Sequence, residues 1–257
     1  MNQFLPWRAP ARSLVAVLAL VAAVGGGGCT FSSLTSARTI DPGEAQFGVA
    51  GQGLRINKAG NPLTTPSVEI AGRYGVTPNV EVGMRAFIPG VFADAKVQLK
   101  RSATPDSGID IAVDPAVGYL RIPDSNAAEE ATLHIVSLSL PVLIGFNVGR
   151  GNSVVLAPRI VEEMWLGEST VNRVSVGTAL GFIWKVTDSV RIMPEVSVGA
   201  QVFASLSEAG KDVGLGGNEA RFSVAFLFGG YSPPRPEPCR CPAPHVPAAE
   251  GVTPAVP

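Results

Sequence analysis

Between residues 44 and 229 the chain alternates apolar and polar residues over short stretches that Gly, Pro, Asn and Asp interrupt. A period of two sends successive side chains to opposite faces of a strand, so this pattern predicts β-structure and leaves no room for amphipathic helices. Ten stretches qualify, at 44–56, 67–76, 79–88, 91–101, 109–121, 132–147, 152–165, 170–186, 189–204 and 219–229. Residues 127–131 make at most one helical turn, within a loop.

The two faces of these strands differ in kind. In the second stretch Val68, Ile70, Tyr74 and Val76 share one side, opposite Glu69, Ala71, Arg73 and Gly75. In the third, Val80, Val82, Met84 and Ile88 oppose Glu81, Gly83 and Arg85, and in the fourth Val91, Ala93, Ala95, Val97 and Leu99 oppose Asp94, Lys96, Gln98 and Lys100. In the ninth, Val190, Ile192, Val196, Val198 and Val202 oppose Arg191, Glu195, Gly199 and Gln201; in the tenth, Phe222, Val224, Phe226 and Phe228 oppose Arg221, Ser223 and Ala225. The apolar side is nearly free of charge. The other side mixes both signs with small residues, which suits a crowded polar interior where ions are paired. A network of Glu69, Arg73, Glu81, Arg85, Asp94, Lys96, Arg191, Glu195 and Arg221 is therefore expected along the axis of a barrel, with Glu81–Arg85 and Arg191–Glu195 as same-face pairs.

Composition agrees. Charged residues are 16% of the chain, below the roughly 25% of ordinary soluble domains. Lys plus Arg number 20 and Asp plus Glu 21, with no basic cluster, which excludes a nucleic-acid partner. Tight connectors (Thr77-Pro78-Asn79, Val148 to Gly151, Thr187-Asp188-Ser189) follow the second, sixth and eighth stretches, and longer ones (59–66, 123–131, 205–218) follow the first, fifth and ninth. Pro89-Gly90 and residues 102–108 break that rule. Short turns at one end and longer loops at the other, with an even strand number, describe a closed antiparallel up-and-down transmembrane β-barrel of about ten strands, within a range of eight to twelve. Tyr74, Phe87, Tyr119, Phe146, Trp165, Trp184 and Phe203 lie near segment ends and are candidates for interfacial girdles. Pro115, Pro141, Pro158 and Pro194 fall inside strands and strain this picture, because a closed barrel has no edge for proline.

The stretch Arg73-Tyr74-Gly75-Val76-Thr77-Pro78-Asn79-Val80-Glu81-Val82-Gly83 resembles the strand–turn–strand unit of bacterial outer-membrane β-barrel proteins. The final strand, with alternating aromatics ending at Phe228, resembles the closing strand that such proteins present to the barrel assembly machinery. The resemblance spans residues 44–230 and implies a fold rather than an activity.

The chain opens with a secretory leader: Arg8 and Arg12, an apolar run over 14–24, then Gly25 to Gly28. Small residues ahead of Cys29 resemble the bacterial lipobox, although Gly26 stands where that motif usually has Leu. Residues 1–28 are thus expected to be a signal peptide, 29–43 a tether lipidated at Cys29, 44–230 the barrel, and 231–257 an extended proline-rich tail. Both ends would then face the periplasm of a diderm bacterium, with the tail reaching toward peptidoglycan or a periplasmic protein. Cys239 and Cys241 form a C-x-C in that tail, with His245 nearby, a ligand set too small for a metal site.

No catalytic constellation emerges. In a strand His134 faces away from Ser137 and Ser139 and shares its side with Val136, Leu138, Leu140 and Val142. Glu162 and Glu163 diverge for the same reason. Gly214-Leu215-Gly216-Gly217 lacks the following helix of a phosphate loop. No cofactor or metal and no enzymatic activity are expected. The leading expectation is an outer-membrane barrel lipoprotein with a largely plugged polar lumen and a structural, interaction or narrow-pore role among the membrane lipids. A soluble periplasmic lipocalin-like lipid carrier and a membrane-embedded lipid hydrolase stand as alternatives.

Overall fold

A computed structural model describes residues 34–58, 61–88, 90–123, 132–166, 170–206 and 218–230. The leader, Cys29 and the tail with Cys239 and Cys241 lie outside the described residues.

Eleven strands follow one another: β1 (Ala45–Lys58), β2 (Asn61–Thr77), β3 (Val80–Phe87), β4 (Gly90–Lys100), β5 (Gly108–Val113), β6 (Ala116–Pro123), β7 (Thr132–Gly149), β8 (Asn152–Leu166), β9 (Val171–Lys185), β10 (Val190–Leu206) and β11 (Asn218–Gly229). Every pairing is antiparallel, and β1 pairs with β11 from Gln46↔Gly229 to Gly53↔Phe222, which closes the sheet on itself. The short β5 and β6 are halves of one stave. Both pair with β4 and with β7, and the register runs on across the gap between them, Val97↔Val113 continuing to Asp94↔Ala116 and Val113↔Val142 to Ala116↔Ser139; the β4–β5 register shifts only at Gln98/Lys100, near the end of β4. The barrel therefore has ten staves, as expected.

Proline explains the break between the halves. Pro115 has no N–H to give to the ladder. Its carbonyl still accepts the Ala95 N–H at 3.1 Å, and the Asp114 N–H still donates to the Pro141 carbonyl at 3.1 Å. The other in-strand prolines are absorbed in the same way. Pro141↔Arg159, Pro158↔Thr178 and Pro194↔Val224 hold their places, and the register is the same on both sides of the bridges that proline removes. Register shifts occur elsewhere, near strand ends, as at Gly75/Thr77 and Asn147/Gly149. Proline costs single hydrogen bonds here and leaves closure intact.

Two connectors differ from expectation. Residues 59–66 read as a loop, yet β1 and β2 pair outward as far as Lys58↔Asn61. Pro62 and Pro66 fall within that extended hairpin without ending it. Residues 101–107 are held tightly: the Ser102 N–H donates to Asp110 at 2.7 Å and the Gly151 N–H to Asp106 at 2.7 Å. The β7–β8 turn beside them places Gly149, Arg150 and Gly151 at φ 92°, 57° and 74°, a left-handed run for which glycine is suited at two of three positions. The connections β2–β3, β4–β5, β7–β8 and β9–β10 mark the turn end of the barrel, where β1 begins and β11 finishes.

Candidate functional site

Alternation in this barrel is inverted relative to a water-soluble one. Met84, Val68 and Phe47 are each more than 60% exposed, whereas Glu81 is 0% exposed and Glu195 2%. All nine residues of the expected network point inward and are buried.

The structure gathers six of them on the β2–β4 wall. Arg73 lies 2.6 Å from Glu81, 2.8 Å from Asp94 and 3.1 Å from Asp114. Lys96 lies 2.9 Å from Glu81, and Arg85 3.5 Å from Asp94 and 5.5 Å above the Phe92 ring. Glu69 accepts from Gln52 at 3.4 Å, and Gln52 in turn accepts from Arg221 at 3.0 Å, which ties in the β11 wall. Arg191 and Glu195 sit on β10, on the far side of the lumen from Glu81. The close ion partners of Glu81 stand on adjacent strands, not at Arg85. Four residues along a strand span about 13 Å, while cross-strand neighbours stand roughly 5 Å apart.

Five further inward ions escaped the sequence reading: Asp110, Asp114, Arg159, Glu163 and Arg173. The same period of two would have found them, since Asp110 and Asp114 share a face with Ala112, Arg173 with Ser175, and Arg159 and Glu163 with Ala157 and Val161. Arg173 lies 3.8 Å from Glu163, which also accepts the Trp165 indole N–H at 3.2 Å. Among the described residues, buried acids (Glu69, Glu81, Asp94, Asp110, Asp114, Glu163, Glu195) and buried bases (Arg73, Arg85, Lys96, Arg159, Arg173, Arg191, Arg221) balance at seven each.

The largest departure from expectation concerns residues 34–43, read from sequence as part of a tether. Leu34, Thr35, Ser36, Ala37, Thr39 and Ile40 are buried inside the barrel. The segment crosses the lumen near the turn end. At one end the Leu34 N–H donates to Glu195 on β10 at 3.2 Å, and Leu34 packs with Ala50, Val155, Met193 and Leu227. At the other, the Ile40 N–H donates to Glu81 on β3 at 2.9 Å and the Thr39 N–H to Gln98 on β4 at 2.7 Å. Lys96 donates to Thr35 Oγ1 and to the Ser36 carbonyl at 3.0 Å each, and to the Arg38 carbonyl at 3.3 Å. A stretch dominated by Ser, Thr and Ala looks like a linker because its two large apolar residues, Leu34 and Ile40, stand at its ends and form no periodic face. Inside a polar barrel those small side chains fit, and its backbone N–H groups find carboxylates.

Nearer the loop end, Phe92, Leu120 and Ile135 form an apolar cluster against which Phe87 and Trp165 pack. Phe87 and Trp165 therefore do not belong to the outer girdles proposed from sequence. Each lies an even number of residues from an inward ion (Arg85, Glu163) and shares its face. Tyr74, Tyr119, Phe146, Trp184 and Phe203 do face outward. His134 faces outward beside Tyr119, whose hydroxyl lies 2.6 Å from His134 Nδ1, while Ser137 is buried on the opposite face. Glu162 is exposed on the outer wall, at the edge of a concavity of about 670 Å³ lined by residues such as Ala93, Pro115 and Leu138.

No family model matches this chain, and no curated protein matches it. Among solved structures, it is similar to the outer membrane protease OmpT from Escherichia coli, at 7% identity and TM-score 0.36 over 77% of this chain and 98% of that one. It is also similar to the translocator domain of the autotransporter NalP from Neisseria meningitidis, at 11% identity and TM-score 0.40 over 84% and 93%. A third is the attachment invasion locus protein Ail of Yersinia pestis, at 12% identity and TM-score 0.32 over 73% and 99%.

Proposed function

We propose that the protein is an outer-membrane β-barrel of a diderm bacterium, sealed in its resting state and serving a structural or interaction role. The observation that carries this reading is the inverted burial: among the described residues, seven acids and seven bases are turned inward and a nearly uncharged apolar wall is turned outward. A bilayer demands such a wall, because an outward Arg or Lys at the midplane costs about 2–4 kcal/mol. It also demands a sheet without edges, which the β1–β11 pairing supplies. Strands such as β7, with 18 residues, exceed the roughly 10 needed to span the hydrocarbon. The seal in this reading comes from the crossing segment and the paired ions. A lipocalin-like carrier needs an apolar interior for its ligand, and the buried ions speak against it.

Lipidation of Cys29 and a periplasmic turn end belong to the same proposal. The described chain enters β1 and leaves β11 at the turn end, so an acylated start and a periplasmic tail are compatible with it. The test is membrane fractionation followed by an unboiled gel. The expected result is recovery with outer membranes and a faster band before boiling than after. Protein that stays soluble without detergent once its acyl group is removed, and that migrates alike boiled or unboiled, would overturn the reading.

A further inference from the structure

The two halves of the lumen are built from different materials. On the β3–β8 side the loop half is occupied by Phe87, Phe92, Leu120, Ile135 and Trp165. On the β9–β11 side the inward positions of the loop half are small (Ser175, Gly177, Ser197, Gly199 and Ser223), while the turn half carries Ile183, Met193 and Leu227, against which Leu34 packs. Among the described side chains of β8–β11, the buried ions are Arg159, Arg173, Arg191 and Arg221 with Glu163 and Glu195. The loop half of this side is thus a lane of small polar residues edged by guanidinium groups.

The crossing segment closes that lane at the turn end, held through side chains and packing and not by a strand ladder. Residues 34–40 take no part in any strand. Their anchors are mostly side chains (Glu195, Glu81, Gln98, Lys96, and Ser102 and Asp110 around Arg38, whose Nη1 lies 3.8 Å from Asp110), joined by the Pro78 carbonyl, which accepts from Thr39 Oγ1 at 2.8 Å. The first backbone bonds to the wall come only after the segment, from the Gly43 N–H to the Gly75 carbonyl at 2.8 Å. The wall opposite is cut away to admit it. Ala37 packs with Ala112, Leu143, Ala157 and Ala179, and a Cβ placed on Gly145 would lie 2.8 Å from that of Ala37. Were the barrel filled by its own staves alone, larger side chains would stand at those positions. When the segment leaves, it vacates a gap lined by Lys96, Gln98, Glu81 and Glu195 on its polar side and by Ala112, Leu143, Ala157 and Ala179 on its apolar side.

We infer that the protein is a gated passage for small anions, with residues 34–40 as the gate and the β8–β11 lane as the path. The inference rests on the membrane reading above and adds an activity to it. The gate swings on Asp41-Pro42-Gly43, where Gly43 has φ 82°, while the closed ladder stays whole. The guanidinium groups of Arg159, Arg173, Arg191 and Arg221 along the open lane favour anions over cations.

The experiment uses the full-length chain in planar bilayers under a KCl gradient, with an unboiled gel to verify each barrel. A37W has no room beside Gly145 and drives the segment out. The expected result is an open probability raised about tenfold over the natural chain, a modest shift of a two-state population, with a reversal potential on the chloride side. Adding Arg159→Gln, Arg173→Gln and Arg221→Gln should abolish that anion preference. Should A37W fail to fold, A37C with G145C in a background of C29S, C239S and C241S keeps the question open to measurement. Oxidation should then silence openings that reduction restores. A folded A37W barrel with no added conductance, a cation-selective current, or identical oxidised and reduced behaviour of the cysteine pair would each overturn the gate. Failure to insert into bilayers at all would instead defeat the membrane reading.

Discussion

The Lys96 ammonium and the Glu81 carboxylate lie 2.9 Å apart, with both side chains almost wholly buried. Each also holds the crossing segment, Lys96 through Thr35, Ser36 and Arg38 and Glu81 through the Ile40 N–H. One ion pair thus fastens the segment and the β3–β4 wall to each other. Removing one partner of a buried pair leaves the other charge uncompensated, which costs more than the pair contributes.

Lys96→Met should accordingly lower barrel stability by about 3 kcal/mol, the low end for a broken buried pair, because Glu81 keeps Arg73. Urea unfolding in lipid vesicles measures it. Adding Glu81→Gln should cost less in the Lys96→Met background than in the natural chain, since the Lys96–Glu81 attraction is already gone and Arg73 keeps Asp94 and Asp114. A double variant less stable than the sum of the two singles would contradict this account of the pair.

Gly118 sits inward on β6, where an added Cβ would run into the Phe92 ring. Phe92 in turn stacks on Phe87, with ring centroids 5.8 Å apart, so the ring has little freedom to retreat. Gly118→Ala should therefore destabilise the barrel by about 1–3 kcal/mol, the usual cost of overpacking. Phe92→Leu should suppress much of that cost when the two are combined, and a double-mutant cycle on unfolding free energies reads the coupling.

Much of this architecture was legible in the sequence, because a period of two is a local signal that tertiary context seldom reverses. It assigned Glu81, Arg85, Arg191 and Glu195 to one face, and with them the sense of the barrel. Partner choice was not legible. Arg73 meets Asp114 across three staves, a relationship fixed by closure and register and invisible along the chain. Phe87 and Trp165 were misplaced because nearness to a strand end suggested a girdle, although parity with Arg85 and Glu163 already put them inside. The crossing segment was missed for a deeper reason. A run of Ser, Thr and Ala has no pattern that separates a tether from a filler, and only the small wall residues opposite, such as Gly145, disclose which it is.

Cys29 lies only five positions ahead of Leu34 in the sequence, and the ladder that closes the barrel begins at Gln46. Acylation and closure therefore depend on separate residues. Cys29→Ser should abolish incorporation of labelled fatty acid while leaving the gap between boiled and unboiled bands unchanged. Label retained in the Cys29→Ser protein would remove the lipoprotein assignment, and loss of the band shift would show that the anchor takes part in folding.

The outer wall offers the sharpest test of what surrounds it. Glu162 is exposed there, in register with Leu138 on β7 and Val174 on β9. A carboxylate facing hydrocarbon is unfavourable, though less so than a cation. Glu162→Leu should stabilise the protein in vesicles by about 1 kcal/mol and leave it unimproved in detergent, where water reaches the group. Leu180, 55% exposed toward the middle of β9, provides the converse. Leu180→Arg should cost about 2–4 kcal/mol of refolding free energy in vesicles if lipid tails touch that position. On a water-washed surface the same arginine would be harmless, within about 0.5 kcal/mol. A neutral Leu180→Arg would therefore show that the apolar wall faces something other than a bilayer.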